Sequence, residues 1–336
     1  MDALFQISIF SAKLLITVVF LLILLIGIIS ILSRSKEKLR GRITVKNLNQ
    51  KYRETKEFLS AEILTKNQFK KFNKEQKKAD KEKIKSADTN PQKNIFVLNF
   101  EGDIKASAVN ALREEVTAIL GVATIHDEVV VKIESAGGMV HAYGLAASQL
   151  MRIREQHIPL TVIVDKIAAS GGYLMACVAN KILAAPFAII GSIGVIVQLP
   201  NFHRLLKNNH IDFEQITAGQ FKRTLTLFGE NTIKGREKMH EEIEEIHTLF
   251  KNLIKEHRPQ IDTQKVATGE HWLGSQALEL KLIDSLQTSD DYLYAHAQNA
   301  ELYEICYYIK KSFAERCGAL GRMFIKRRSL EDTYIL

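Results

Sequence analysis

Between Asn94 and Asp165 short apolar, β-branched runs alternate with segments of helical period, and this alternation decides which fold classes are open to the chain. IFVLNF (95–100), EVVVKIE (128–134) and PLTVIVD (159–165) have the length and composition of strands. Between them Val109, Leu112, Val116, Ile119 and Leu120 recur at helical steps over 107–120, and a second helical pattern covers 139–156. A small-residue helix pattern fills 170–179. Parallel strands need crossovers of this length, so the order β-α-β-α-β-α predicts an α/β domain on a parallel sheet. Strands covered on both faces read as continuous apolar runs. The charge-free ILAAPFAIIGSIGVIVQL (182–199) is therefore expected to be two buried strands around a glycine turn, since Pro186, Gly191 and Gly194 interrupt it. Met239, Ile243, Ile246, Phe250 and Leu253 mark one face of a long amphipathic helix over 232–257, which Pro259 stops.

A different run has the character of a membrane span. LLITVVFLLILLIGIISIL (14–32) carries no charge over 19 positions, enough to cross a bilayer core of about 30 Å. A secretory signal would have a shorter apolar core and a small-x-small cleavage site. Here Arg34, Lys36, Lys38, Arg40 and Arg42 follow instead. Residues 1–33 are thus expected to be an uncleaved N-terminal transmembrane anchor. The basic cluster suits anionic lipid headgroups, and the positive-inside rule puts the downstream side in the cytoplasm. Residues 34–93 read as a basic polar arm or linker: from Lys66 to Lys85 there are nine lysines against three acids. Phe69 and Phe72 are the only aromatics among them, so no nucleic-acid partner is expected. Residues 94–290 form the expected α/β domain, and 291–336 a weakly patterned helical tail with the basic IKRR near its end.

Cys177, Cys306 and Cys317 are the only cysteines, which gives no disulfide framework, no metal-ligand spacing and no cofactor signature. Nothing demands that Cys306 and Cys317 pair. Chemistry centres on DKIAASGGYLMAC (165–177), where Ser170 stands between a strand and a helix pattern. Backbone N–H groups at such a helix start are free to hold an oxyanion, and Gly171 and Gly172 leave room for a substrate backbone. The segment fits an N-cap serine equally well. SAGGMV (135–140) repeats the design, with Gly137 and Gly138 after a strand. Two such turns on adjacent parallel strands face one crevice, which suits an oxyanion hole from the Gly138 and Gly171 amides. A serine nucleophile needs a base. None of His126, His141, His157, His203 and His210 sits in a turn motif with a carboxylate partner. A neutral lysine can serve if an apolar, acid-free site desolvates it. Lys222 lies among Phe221, Leu225, Leu227 and Phe228, whereas the rival Lys166 directly follows Asp165.

The strings SAGGMVHAYGLAASQL, PLTVIVDKIAASGGYLMACVANKI, APFAIIGSIGV, TAGQFKRTLTLFGENT and ATGEHWLGSQALELKLID together resemble the S49 serine–lysine peptidases, from about Asn94 to Asp284. The resemblance implies a ClpP/crotonase-like fold of stacked ββα units. It implies Ser170 as nucleophile, Lys222 as general base and Ser192 as the hydroxyl that orients the lysine amine. Gly138 and Gly171 become the oxyanion hole, with Gly137 and Gly172 in support, and no cofactor or metal is implied. It further implies bowl-like homo-oligomeric rings in which the lysine reaches the serine of an adjacent subunit. The implied substrates are unfolded or membrane-derived peptides, such as cleaved signal peptides, with small or apolar side chains. The implied location is the bacterial inner membrane, with active sites facing outward, the opposite side to the charge rule. Two positions depart from the pattern: Ala136 replaces a proline in the first glycine turn, and Lys281 replaces a helix-capping glycine. Two other readings share the fold. A crotonase-type acyl-CoA enzyme would need Glu134 or Asp165 as its acid, and a membrane scaffold would need no turnover.

Overall fold

The computed structural model describes residues 2–34, 41–87 and 93–308. It divides into two units, Met1–Arg42 with Tyr308–Leu336, and Ile43–Tyr307. In the first unit α1 runs Asp2–Arg34, and its described apolar side chains from Leu14 to Ile26 are exposed. Side chains 28–32 of the expected anchor lie outside the described residues. Among the described residues no helix is long and apolar enough to cross a membrane.

The second unit begins with β1 (Arg42–Asn47), α2 (Leu48–Ile63) and α3 (Lys66–Ala87). The alternating part follows: β2 (Asn94–Gly102), α4 (Val109–Leu120), β3 (Glu128–Ser135), α5 (Val140–Glu155), β4 (Leu160–Val164), β5 (Ile167–Ala169), α6 (Gly171–Ala176), β6 (Lys181–Ala184) and β7 (Ile189–Gly191). After α7 (His203–Asn208) comes α8 (Ile233–His257), the expected amphipathic helix. It starts where the Thr232 side chain accepts from the Gly235 N–H. The chain closes through α9 (Thr263–Val266), β8 (His271–Leu273), α10 (Gly274–Glu279), β9 (Ser285–Leu286), α11 (Ser289–His296) and β10 (Glu301–Tyr308).

The strands form one mixed sheet, ordered β1-β10-β2-β3-β4-β6-β9. The pairs from β10 through β2, β3, β4 and β6 to β9 are parallel. Alternate residues feed two cores, as period-2 geometry requires. Phe96, Leu98, Val129, Val131, Val162 and Val164 pack with α4, α5, α6 and α8. Ile95, Val97, Val130, Ile163 and Leu183 pack on the other face with Leu48 of α2 and Tyr292 and Leu293 of α11. The sheet forks at the end of β3. Val129–Lys132 pair with β4, but Ser135 pairs with Ala168 of β5, which continues to β7 and, antiparallel, to β8. The fork carries the glycine turns away from the main sheet. Arg258, just past α8, is 3% exposed and donates to both Asp284 oxygens at 2.7 and 2.8 Å. Asp284 also accepts from the Ile182 N–H at 2.7 Å, which fastens the end of α8 to β6.

Three segments differ from expectation. Residues 182–199 do supply two strands, but the link between them is the turn around Pro186. Beyond Gly191 the chain leaves the sheet, and Ile196 is 74% exposed. Residues 42–63, expected within a linker, join the fold. Asn49 is buried, donates to Ala297 and Ala300 carbonyls at 2.9 Å and accepts from the Leu302 N–H at 2.8 Å. The expected helical tail is instead helix α11 followed by strand β10, whose Leu302 and Ile305 are buried through pairing with β2. Residues 309–336, including Cys317 and IKRR, lie outside the described residues.

Candidate active site

Ser170 occupies the joint between β5 and α6, with φ 50° and ψ −119°. A non-glycine residue at positive φ costs of order 1–3 kcal/mol, and the surrounding bonds hold it there. Its N–H donates to the Gly191 carbonyl at 2.8 Å, and its carbonyl accepts from the Leu174 N–H at 2.9 Å. Its side chain makes no capping hydrogen bond, so the N-cap alternative is not realised in the geometry.

The Gly137–Gly138 turn abuts this joint. Gly137 has φ 90°, and a Cβ there would stand 2.6 Å from Gly171 N and 2.7 Å from Ser170 Cβ. The turn's amides are unequally engaged. Gly137 N–H donates to Ser135 Oγ at 3.0 Å, and Met139 N–H donates to the Ile104 carbonyl at 2.8 Å. Among the described residues nothing accepts from the Gly138 N–H. The glycines themselves answer to packing more than to substrate approach. A Cβ at Gly138 would run into the Ile104 carbonyl, one at Gly171 into the Tyr143 ring, and one at Gly172 would stand 2.6 Å from the Ser135 carbonyl.

A cavity of about 370 Å³ opens beside Ser170, Gly138 and Gly171. Its remaining walls come from α5, α6, the stretch after β7 and the Ile246–Leu253 face of α8. The periodicity of α8 was legible in sequence; that this face borders the Ser170 cavity was not. Sequence reading also missed Tyr143. It is wholly buried, backs Gly171 with its ring and bonds Ser135 and the Asp103 carbonyl through its hydroxyl. No motif singles it out, because its role depends on the 102–106 loop meeting the β3 turn.

The other expected residues lie differently. Ser192, also at φ 50°, directly follows Gly191, the acceptor of the Ser170 amide, and its own N–H donates to the Glu270 carbonyl at 2.6 Å. Lys222 is exposed and is not among the residues that line the cavity. Ammonium groups of Lys234 and Lys238 lie 5.7 and 5.8 Å from the ring of its neighbour Phe221. Lys166 is exposed and bonds both Glu134 oxygens at 2.9 and 3.0 Å. That bond, more than the adjacent Asp165, raises its pKa, the opposite of what a base needs. Asp165 accepts from the Ser289 N–H and Oγ at 2.8 and 2.5 Å. None of the five candidate histidines lines the cavity, and among the described residues no three His, Cys, Asp or Glu side chains cluster as a metal site.

Residues 2–150 match the description "Peptidase family S49 N-terminal", and residues 152–303 match "Peptidase family S49". The chain is 46% identical to a probable protease SohB of Haemophilus influenzae, over 90% of this chain and 88% of that one. A putative protease SohB of Buchnera aphidicola subsp. Baizongia pistaciae is 43% identical over 97% of this chain and 98% of its own. A probable protease SohB of Buchnera aphidicola subsp. Acyrthosiphon pisum is 56% identical over 68% of each chain.

Proposed function

The chain belongs to peptidase family S49 and is a protease, and on that premise we propose that it is a membrane-anchored serine endopeptidase using a Ser170/Lys222 dyad. Its proposed substrates are unfolded or membrane-derived peptides, such as signal-peptide remnants, at the bacterial inner membrane. The observation that carries the reading is the positive-φ joint of Ser170 pressed against the Gly137–Gly138 turn. A strained strand-to-helix turn exposes a serine Oγ, and strain of this kind gathers at reacting groups.

The chemistry follows from the groups at hand. Ser170 Oγ attacks the peptide carbonyl carbon while the neutral Lys222 amine takes its proton. The oxygen that becomes negative receives hydrogen bonds from Gly138 N–H, which has no other described acceptor, and from Gly171 N–H. The Lys222 ammonium returns the proton to the departing amine. Water then cleaves the acyl-enzyme with Lys222 again as base. Ser192 orients the amine.

Lys222 is exposed within one chain, yet a neutral lysine requires desolvation. We assign that desolvation to an adjacent copy in a homo-oligomeric ring. Exposed apolar side chains in the lysine's own stretch of chain support this, among them Phe213, Ile216, Phe221 and Phe228. The forked sheet supports a ClpP/crotonase-like reading of the fold, and the charge-free run of exposed apolar side chains in α1 supports the anchor. Engagement of Glu134 by Lys166 and of Asp165 by Ser289 counts against the acyl-CoA alternative.

The test is covalent labelling of the full-length protein with a peptidyl phosphonate, located by mass spectrometry, together with peptide hydrolysis by Ser170→Ala and Lys222→Ala. Labelling at Ser170 and loss of turnover in both variants are expected. Full turnover by either variant sinks the dyad.

A further inference from the structure

Helix α2 begins inside the core and ends outside it. Helical spacing puts Leu48, Tyr52, Leu59 and Ile63 on one face. Leu48 and Tyr52 pack with Tyr292 and Leu293. Further along, Leu59 is 51% and Ile63 77% exposed, and Phe58 beside them is 67% exposed. Helix α3 returns alongside α2. Phe72, Asn73 and Gln76 share a cleft with Arg53, Glu54 and Glu57, and Lys56 Nζ lies 5.6 Å from the Phe72 ring centroid. The lysines of α3 stay out of that cleft. Lys66, Lys70, Lys74 and Lys78 recur at steps of four, all are exposed, and none forms an ion pair with another described residue. In sequence Lys81 and Lys85 continue the spacing. The tip of the hairpin thus carries three exposed apolar side chains, and a row of unpaired ammonium groups starts beside them.

We propose that this hairpin docks on the anionic surface of a lipid bilayer. Phe58, Leu59 and Ile63 enter the boundary between headgroups and acyl chains, and the lysine row of α3 lies on lipid phosphates. A basic face next to exposed apolar side chains is the combination that holds a helix in this boundary. The lysine stems cover apolar surface while their ammonium groups stay at headgroup level. A protein partner would have to supply both a row of acids and a cover for the apolar tip, whereas an anionic bilayer supplies the two at once. Nucleic acid fits less well, because Phe69 and Phe72 stack on each other, with centroids 6.4 Å apart, and leave no open platform for bases. The contact is separate from the α1 anchor and independent of the chemistry at Ser170.

The experiment places the whole chain in nanodiscs of phosphatidylcholine, with or without phosphatidylglycerol, and follows amide hydrogen exchange over residues 58–78 by mass spectrometry. Anionic discs are expected to slow exchange there by about fivefold or more relative to neutral discs, and high salt should undo much of the difference. Two variants separate the parts. Lys66→Gln, Lys70→Gln, Lys74→Gln and Lys78→Gln together should abolish the anionic effect. Phe58→Gln, Leu59→Gln and Ile63→Gln together should weaken it. Either set alone suffices if the other fails to melt at the wild-type temperature. Equal exchange in the two kinds of disc, or an anionic effect that survives in the folded lysine variant, overturns the proposal. Slowing that grows with protein concentration and ignores the lipid also overturns it, and moves the lysine row to a second copy, where Glu241, Glu244 and Glu245 of α8 are exposed. A chain that enters neither kind of disc overturns it together with the anchor; slowing in anionic discs leaves the peptidase reading untouched.

Discussion

Tyr143 Oη lies 2.6 Å from Ser135 Oγ, a hydrogen bond between the first turns of α5 and the last residue of β3. The phenol donates to the Asp103 carbonyl at 2.7 Å, so the serine hydroxyl donates to the phenol. Ser135 Oγ in turn accepts from Gly137 N–H at 3.0 Å. Burial, chiefly, pushes the phenol's pKa up, so it stays a donor. The chain of bonds aims the turn whose next amide, that of Gly138, is proposed to meet the oxyanion.

Tyr143→Phe removes this junction while keeping the ring against Gly171. The exposed Asp103 carbonyl can turn to water, and Ser135 Oγ keeps the Gly137 N–H and can turn to the Gly102 carbonyl at 3.4 Å, so the loss costs about 1 kcal/mol of stability. Misaiming the turn should lower kcat by about tenfold or more with a smaller change in KM, because the oxyanion contact is made only in the transition state. Urea melts and initial rates check both. Stability loss with an unchanged kcat would mean that the turn is held without the phenol.

Lys281 stands where the sequence resemblance implied a helix-capping glycine, and the structure gives the consequence. It follows α10 at φ 61°, with its N–H bonded to the Leu278 carbonyl and the next N–H bonded to the Ala277 carbonyl. This left-handed helix end costs an L-residue about 1–2 kcal/mol and costs glycine little. The side chain is exposed. Lys281→Gly should therefore stabilise the protein by about 1 kcal/mol, less whatever glycine adds to unfolded-state freedom. A Tm at or below wild type would refute it.

What could be read from the sequence tracks how local each cause is. Strands β2, β3 and β4 were legible because both faces are covered, so each holds a short run of β-branched or apolar residues. Strand β10 was not. ELYEICYY buries only Leu302 and Ile305 fully, and it becomes a strand through parallel pairing with a segment two hundred positions earlier. Strand β5 has three residues, too few for any periodicity, yet it delivers Ser170. The two glycine turns were legible, but the reason for their glycines was not, since Ile104 and Tyr143 meet them only in the folded chain. Lys222 has apolar neighbours in sequence, and those neighbours are largely exposed in one chain.

Glu115 on α4 is 6% exposed and accepts from the Tyr307 N–H at 2.7 Å. Burial raises its pKa, and that single N–H only partly offsets the shift. A folded-state pKa above the unfolded one favours the protonated carboxyl. Its stabilising contribution is thus present at acid pH and lost as pH rises through the folded value. Glu115→Gln keeps the acceptor and removes the charge. Its Tm should exceed wild type by a few degrees at pH 7–8, and the gap should close as pH falls to about 4.5, the ordinary glutamate value. A gap that is constant with pH would assign the effect to something other than ionisation.

If Lys222 serves the Ser170 of an adjacent copy, Ser170→Ala and Lys222→Ala chains should rescue each other. In a head-to-tail ring each site then takes its serine from one chain and its lysine from the next. Randomly mixed at equal amounts, a site draws an intact serine half the time and an intact lysine half the time. Activity should therefore recover to about a quarter of wild type. A dyad within one chain gives none, because every chain lacks one member. Co-expression of differently tagged chains, purification through both tags and peptide hydrolysis read the difference. Mixed oligomers without activity would return Lys222 to its own chain. The 192–232 segment, exposed along much of its length, would then have to fold over the cavity to bring it there.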